Sequence, residues 1–153
     1  MLRKQAGFTL IELIVVIVVL GILAATALPK FMGIQSGARI STLQGARGAI
    51  ASAMNIAYAT QSSQGLASNV GITLDGISIA MVNGYPAAGS AGNASNIYAA
   101  AGLSSDYGTA SASATTIYVT VANAPNPNQC YVQYSAATAS TPPTVGAAQT
   151  GGC

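Results

Sequence analysis

The sequence contains no histidine and no tryptophan, only two cysteines, and only eight charged side chains, five basic and three acidic, in 153 residues. Without an imidazole, a Ser-His-Asp triad is impossible. The acids Glu12, Asp75 and Asp106 lie far apart. A two-carboxylate site would require Asp75 and Asp106 to converge. Cys130 and Cys153 have no metal-ligand spacing. Serine and threonine are abundant but have no visible base. The composition therefore argues against an enzyme, and no catalytic residue, cofactor or metal is expected. The five basic residues form no stripe that would neutralise phosphates, so no nucleic-acid partner is expected either. From Gly48 to Cys153 only Asp75 and Asp106 are charged. A surface so poor in charge has little colloidal repulsion and favours association. The plainer reading is that Ala, Ser, Thr and Gly supply polarity without charge.

Against these absences stands one long apolar run. Residues 8–28 contain only three polar side chains, Thr9, Glu12 and Thr26. As a helix the run is roughly 32 Å long, enough to cross a bilayer. Arg3 and Lys4 precede it and Pro29 ends it. A removable secretory signal would explain the basic start and the small residues at Ala25-Thr26-Ala27. It does not explain the length of the run, nor the acid inside it. A plain membrane anchor explains the length but not Glu12. A carboxylate in a spanning helix is costly and is usually functional and paired.

A third reading rests on the stretch Gly7-Phe8-Thr9-Leu10-Ile11-Glu12-Leu13. It resembles the processing site of type IV pilins and their relatives, in which a membrane prepilin peptidase cuts after the glycine and methylates the new amino terminus. The resemblance implies cleavage between Gly7 and Phe8, N-methylation of Phe8, and an assembly role for Glu12 as the fifth mature residue. It also covers Gly21 and Pro29, where the family places a glycine and a proline that soften or kink the helix. The match is continuous from Gly7 to Pro29. The stretch from Pro29 to Asn55 and the segment Gly84-Tyr85-Pro86 are further similar to the mannose-sensitive haemagglutinin class of type IV pilins.

Beyond Pro29, apolar residues recur at Phe31, Ile34 and Ala38, then at Leu43, Ala46, Ile50, Ala53 and Ala57. Steps of three and four mark one face of a helix. A single helix is thus expected over residues 8–61, apolar all round in its first half and amphipathic in its second. The Asp75-Gly76 pair predicts a hairpin between Ile72–Leu74 and Ile77–Val82, closed by Asn83-Gly84-Tyr85-Pro86. Ala87–Ala94 reads as a linker and Asn96–Leu103 as a short helix. Strands are expected over Thr115–Ala122 and Cys130–Tyr134, and again over Thr144–Thr150 after Pro142-Pro143. Helix first and antiparallel strands afterwards make an α+β fold.

The expected organisation is a leader over 1–7, a long helix over 8–61 with its membrane or filament-core part at 8–28, and a head over 62–153. A Cys130–Cys153 bond would close a 24-residue loop and staple the C-terminus to a strand, a stabilisation of roughly 3–4 kcal/mol in the chain-entropy model. Such a pair needs an oxidising compartment, so the head belongs outside the cytoplasm. In many pilins a C-terminal disulfide bounds a variable surface region. The resemblance implies a structural subunit held in the inner membrane with a periplasmic head. The inner-membrane pilus assembly machinery would then polymerise it with its own copies into an extracellular filament for attachment. Two alternatives stay open: a pseudopilin of a type II secretion system, and an anchored binding module that never polymerises.

Overall fold

The computed structural model describes residues 7–89 and 95–153, apart from the side chain of Met32. The expected leader therefore lies outside the described residues except for Gly7, as does the second half of the expected linker. The chain forms two compact units, divided between Ser36 and Gly37. Helix α1, Leu10–Ser63, contributes to both.

Among the described residues of the first unit α1 is the only element, and it runs without a break through Gly21 and Pro29. Pro29 has no N–H to give the carbonyl of Ala25. One turn earlier the Thr26 hydroxyl donates to the carbonyl of Leu23 at 2.9 Å. Its large apolar side chains, from Leu10 to Leu28, all face outward.

The second unit is built on the face of α1 that carries Leu43, Ala46, Ile50, Ala53 and Ala57, all buried. The expected stripe was longer. Phe31, Ile34 and Ala38 are exposed, because burial on α1 begins only with the residues that meet the rest of this unit. The end of the helix is held by Gln61, whose amide donates to the carbonyls of Val70 at 2.7 Å and Ala67 at 3.1 Å.

The Asp75-Gly76 hairpin forms as expected. Strand β1 (Ile72–Leu74) pairs antiparallel with β2 (Ile77–Ile79), and both turn residues take positive φ. The following strand is not continuous with β2. Ala80 leaves the ladder, donating to Ser95 and accepting from Ala87. Strand β3 (Met81–Val82) then forms a second hairpin with β4 (Tyr85–Pro86), around Asn83-Gly84, also at positive φ. Helix α2, Ile97–Ala100, is shorter than expected and is capped by the Asn96 side chain, which accepts from the amides of Tyr98 and Ala99.

The main sheet has the order β5-β6-β7-β8, all antiparallel, with β5 at Tyr107–Ala112, β6 at Thr116–Val121, β7 at Tyr131–Ser135 and β8 at Thr144–Val145. Strand β5 had no counterpart in the sequence reading. Only Tyr107 and Thr109 of its six residues favour strands, the rest being Gly, Ala and Ser, and it is held as an edge by pairing with β6. Ile117, Val119 and Val121 of β6 and Val132 and Tyr134 of β7 alternate into the core with Leu43 and Ile50. The Tyr134 hydroxyl is buried and donates to the carbonyl of Pro86 at 2.7 Å; burial pushes this phenol well above its usual range.

The C-terminal segment is fastened at several points. Cys130 and Cys153 are disulfide-bonded, with their Cα atoms 5.0 Å apart. The Arg39 guanidinium donates to the carbonyl of Cys153 at 3.0 Å, and Arg47 to that of Gly146 at 2.9 Å. Gly152 lies against Asn126 and Gln129, so that a Cβ there would stand 2.8 Å from the Cβ of Gln129 and collide with the carbonyl of Asn126. Gly151 meets no such neighbour. Gly152→Ala is expected to lower the unfolding free energy by about 1–3 kcal/mol, as overpacking does. Gly151→Ala should stay within about 0.5 kcal/mol of the parent. Denaturant unfolding of the full chain in detergent micelles, followed by tyrosine near-UV circular dichroism, compares the two; equal stability of both variants would contradict the close packing at Gly152.

Candidate functional site

The residues picked out by sequence fall into two places. Gly7, Phe8, Glu12, Gly21 and Pro29 lie in the first unit, and Cys130 and Cys153 in the second. The disulfide is part of the head's packing and no part of the amino-terminal site.

Gly7 and Phe8 precede the helix in irregular backbone. Gly7 has open space around the position a Cβ would take, and Phe8 is 93% exposed. Thr9 stands at the N-cap. The Thr9 amide donates to the Glu12 carboxylate at 2.9 Å, and the Thr9 hydroxyl donates to the same oxygen at 2.8 Å. The Glu12 amide returns a bond to the Thr9 hydroxyl at 3.3 Å. This reciprocal arrangement is a capping box. It satisfies two of the donors that every helix start leaves unpaired. The spacing Thr9-Leu10-Ile11-Glu12 ahead of an apolar run is its sequence signature, and the sequence reading passed over it. Glu12 consequently has a use within a single chain. Its presence does not by itself separate an assembling subunit from an isolated anchor, contrary to the expectation drawn from sequence.

Around the carboxylate the helix is apolar. Phe8, Ile11, Glu12, Val15 and Val16 line one shallow recess of about 350 Å³. Their spacing of three and four puts them on one helical stripe. Glu12 is therefore the one charge on a greasy, exposed face. Gly21 also meets open space, so the helix surface there is flat and unobstructed. Among the described residues, α1 is the one helix long and apolar enough to cross a membrane, and its most apolar stretch is buried by nothing in the structure. No group of three or more metal-ligating side chains occurs among the described residues.

Comparison with known proteins bears on this segment. The family model described as the prokaryotic N-terminal methylation motif matches residues 2–28. A type II secretion system core protein G from Pseudomonas aeruginosa is 46% identical over 54 residues, which is 35% of this chain and 38% of that protein. A protein of the same description from Aeromonas hydrophila is 61% identical over 31 residues, 20% of this chain and 22% of that protein. The type IV narrow pilus major component PilA5 of Thermus thermophilus is 43% identical over 54 residues, 35% of this chain and 47% of that protein. The chain thus spans less than half the length of the curated relatives it matches. No solved structure matches it. Over part of its length the chain is similar to these proteins, and its fold is α+β, with a long N-terminal helix and small antiparallel sheets.

Thr9→Ala removes the cap hydroxyl and should speed amide exchange at Glu12 by about fivefold, the loss of one N-cap. Thr9→Ser should behave as the parent. Exchange measured by NMR in micelles distinguishes them; unchanged protection in Thr9→Ala would mean that the box does not hold the helix start.

Proposed function

We propose that this chain is the structural subunit of a type IV pilus. It is held in the inner membrane by residues 8–28, cut between Gly7 and Phe8 by prepilin peptidase and methylated on Phe8. The assembly machinery then polymerises it with its own copies into a surface filament used for attachment. The observation that carries this reading is the Glu12 carboxylate on an exposed apolar helix, inside the segment, residues 2–28, that matches the N-terminal methylation motif. An apolar helix with no cover within its own chain requires lipid or other copies of itself.

Cleavage would create a new amine on Phe8, largely charged at neutral pH. A charge in an apolar bundle is expensive alone and much less so in a hydrogen-bonded pair. Within one subunit Phe8 lies ahead of the helix and Glu12 in its first turn, with Thr9 already bonded to the carboxylate. A neighbour shifted along the filament brings its own Glu12 beside this amine. Charge pairing then sets the axial offset and apolar packing supplies the rest. Gly21 and Pro29 bracket a segment able to give up helical hydrogen bonds on packing, since Pro29 already lacks one. The head remains outside the cytoplasm, where its disulfide is maintained.

A second reading, a pseudopilin of a type II secretion system, is favoured by the several relatives described as core protein G. The two differ in where the filament goes. Chain recovered in filaments sheared from intact cells supports the pilus. Its absence there, with a secretion defect on deletion, supports the pseudopilus.

Gly7→Val is expected to leave the leader attached, because the protease subsite at the cut takes a small residue. Mass spectrometry of the membrane-bound protein reads this directly, and a chain still beginning at Phe8 would refute the processing step.

The role of Glu12 is separable from its capping. Glu12→Gln keeps a residue suited to the capping box and removes the charge. It should leave insertion and cleavage intact and cut the yield of sheared filament sharply, as should Glu12→Val. Glu12→Asp should be intermediate. Thr9→Ala, which spares the carboxylate, should assemble better than Glu12→Gln. Normal filament yield from Glu12→Gln would overturn charge pairing while leaving the subunit assignment standing.

A further inference from the structure

The sequence holds two pairs in which Asp or Asn is followed by glycine, Asp75-Gly76 and Asn83-Gly84. Such a pair can react with itself. With no Cβ in the way, the glycine nitrogen can reach the side-chain carbonyl carbon of the residue before it. The two pairs form turns of one kind: φ is 48° and 80° at Asp75 and Gly76, and 51° and 87° at Asn83 and Gly84. Each joins two antiparallel strands, β1 to β2 and β3 to β4. Alike in backbone, they differ in what holds them.

Asp75 and Gly76 are exposed, and neither the carboxylate nor the Gly76 amide has a hydrogen-bond partner among the described residues. A Cβ on Gly76 would meet open space. At the second turn the nucleophile and the leaving group are both engaged. Gly84 is buried, and its amide donates to the carbonyl of Ser68 at 2.7 Å. The side-chain amide of Asn83 donates to the carbonyl of Ala137 at 3.3 Å, and its backbone amide to the Asn69 side chain at 2.9 Å. Tyr58 and Gln61 of α1 stand against Gly84, and Tyr58 stacks on Tyr85 with ring centroids 4.8 Å apart. Ser68 and Asn69 are held from α1 in turn, because the Gln61 amide bonds the carbonyls of Ala67 and Val70 on either side of them. The turn is thus locked through one chain of contacts from the end of α1.

In the reaction, the Gly84 nitrogen gives its proton to a solvent hydroxide and attacks Cγ of Asn83. A C–N bond forms, the bond from Cγ to Nδ2 breaks, and Nδ2 leaves as ammonia with a proton from water, which restores the hydroxide. The product is a five-membered imide. Water opens it at one of its two carbonyls, giving aspartate or, with the backbone rerouted through the side chain, isoaspartate. At Asp75 the same closure expels water in place of ammonia. The first step requires the Gly84 N–H to leave Ser68 and the peptide to turn towards Cγ. Departure of Nδ2 requires its release from Ala137. In the closed turn neither condition is met. Afterwards the turn cannot be restored. A carboxylate at position 83 has no hydrogen for the Ala137 carbonyl, which is left facing an oxygen. An isoaspartate lengthens the backbone of a two-residue turn whose register is set by its length.

We propose that Asn83-Gly84 is a self-modification site gated by the fold. It deamidates only in molecules in which Ser68, Asn69 and Ala137 have released the turn, and the change marks those molecules irreversibly. Asp75-Gly76, of the same shape and without those ties, isomerises in the closed head. In an unfolded chain Asn83 is the quicker of the two, because a neutral amide is a better target for an anionic nitrogen than a carboxylate is. The folded head reverses that order. The claim concerns the head alone and does not depend on whether the chain assembles into a pilus or a pseudopilus.

The test incubates the full chain in detergent micelles in mildly alkaline heavy-oxygen water, in parallel with the same chain in guanidinium. Each imide that reopens takes up a heavy oxygen, so peptic peptide mapping by mass spectrometry follows both pairs at once. In guanidinium Asn83 should be labelled ahead of Asp75. In the native chain Asp75 should lead, and Asn83 should be slowed by at least about tenfold, since reaction then waits on a local opening. Asn69→Ala should speed Asn83 by roughly three- to tenfold, the effect of one lost hydrogen bond on that opening, and leave Asp75 unchanged. Hydrogen exchange at the Gly84 amide should rise by the same factor, because both processes need the same release from Ser68. Gln61→Ala, which frees the carbonyls flanking Ser68 and Asn69, should act in the same direction. Asn69 is exposed, so its variant keeps the test valid if Gln61→Ala does not fold. The proposal is overturned if Asn83 reacts as fast in the native chain as in guanidinium, or if Asp75 stays behind Asn83 in the native chain. It is equally overturned if Asn69→Ala speeds both pairs alike or neither.

Discussion

A carboxylate on an apolar helix must be satisfied by something, and the first unit of this chain is arranged around that requirement. In the single chain the answer is local. Thr9 supplies a hydroxyl and an amide to Glu12, and the helix start is closed by the same bonds. These partners occupy one oxygen of the carboxylate and leave the other without a hydrogen bond among the described residues. A carboxylate can accept about four hydrogen bonds. The capping box therefore orients Glu12 without exhausting it. That combination is what the pairing proposed above, between Glu12 and an amine of another copy, requires.

The second unit meets a different constraint. It has almost no charge to spend, and it uses its two arginines on backbone. Arg39 and Arg47 reach from α1 to the carbonyls of Cys153 and Gly146. Hydrogen bonds from a charged donor are stronger than neutral ones, so two of them hold a segment that has little secondary structure of its own. The disulfide adds a covalent tie at the same end. Together they make a firm surface out of a chain end rich in Ala, Gly, Thr and Gln, residues that would otherwise fray.

The parts of this structure legible in the sequence are those fixed by local rules. The three-four spacing from Leu43 to Ala57 gives the buried face of α1, and Asp75-Gly76 gives a hairpin, because both depend on neighbours in the chain. What was not legible depends on distant residues. Ala80 breaks the expected strand after Ile79 because Ser95 and Ala87 offer it other partners. Strand β5 exists because β6 is there to pair with it, not because Gly108 and Ala110 favour extension. The Thr9–Glu12 box is the instructive exception, a local signal plainly present in the sequence and overshadowed by the resemblance of the same residues to a processing site.

The two units also differ in what they leave unsatisfied. Along residues 13–28 every backbone group except the carbonyl of Ala25, which faces Pro29, can be paired along the helix, yet the side-chain surface is almost entirely hydrocarbon. That surface is indifferent to whether lipid or another helix covers it, since both are apolar. Passing from one to the other gains little from hydrophobic burial alone. In the proposed filament the preference for assembly would come from packing and from polar groups, and on this helix those are few: Thr9, Glu12, Thr26, and an amine if the chain is cut at Phe8. Thr26 already donates to its own helix, and Thr9 to Glu12. By elimination, the free capacity for a directional contact between copies resides in the Glu12 carboxylate and that amine. In the second unit the situation is reversed. Its core side chains are covered within the unit, and what it leaves without a partner among the described residues includes the hydroxyls of Tyr118 on β6 and Tyr131 on β7.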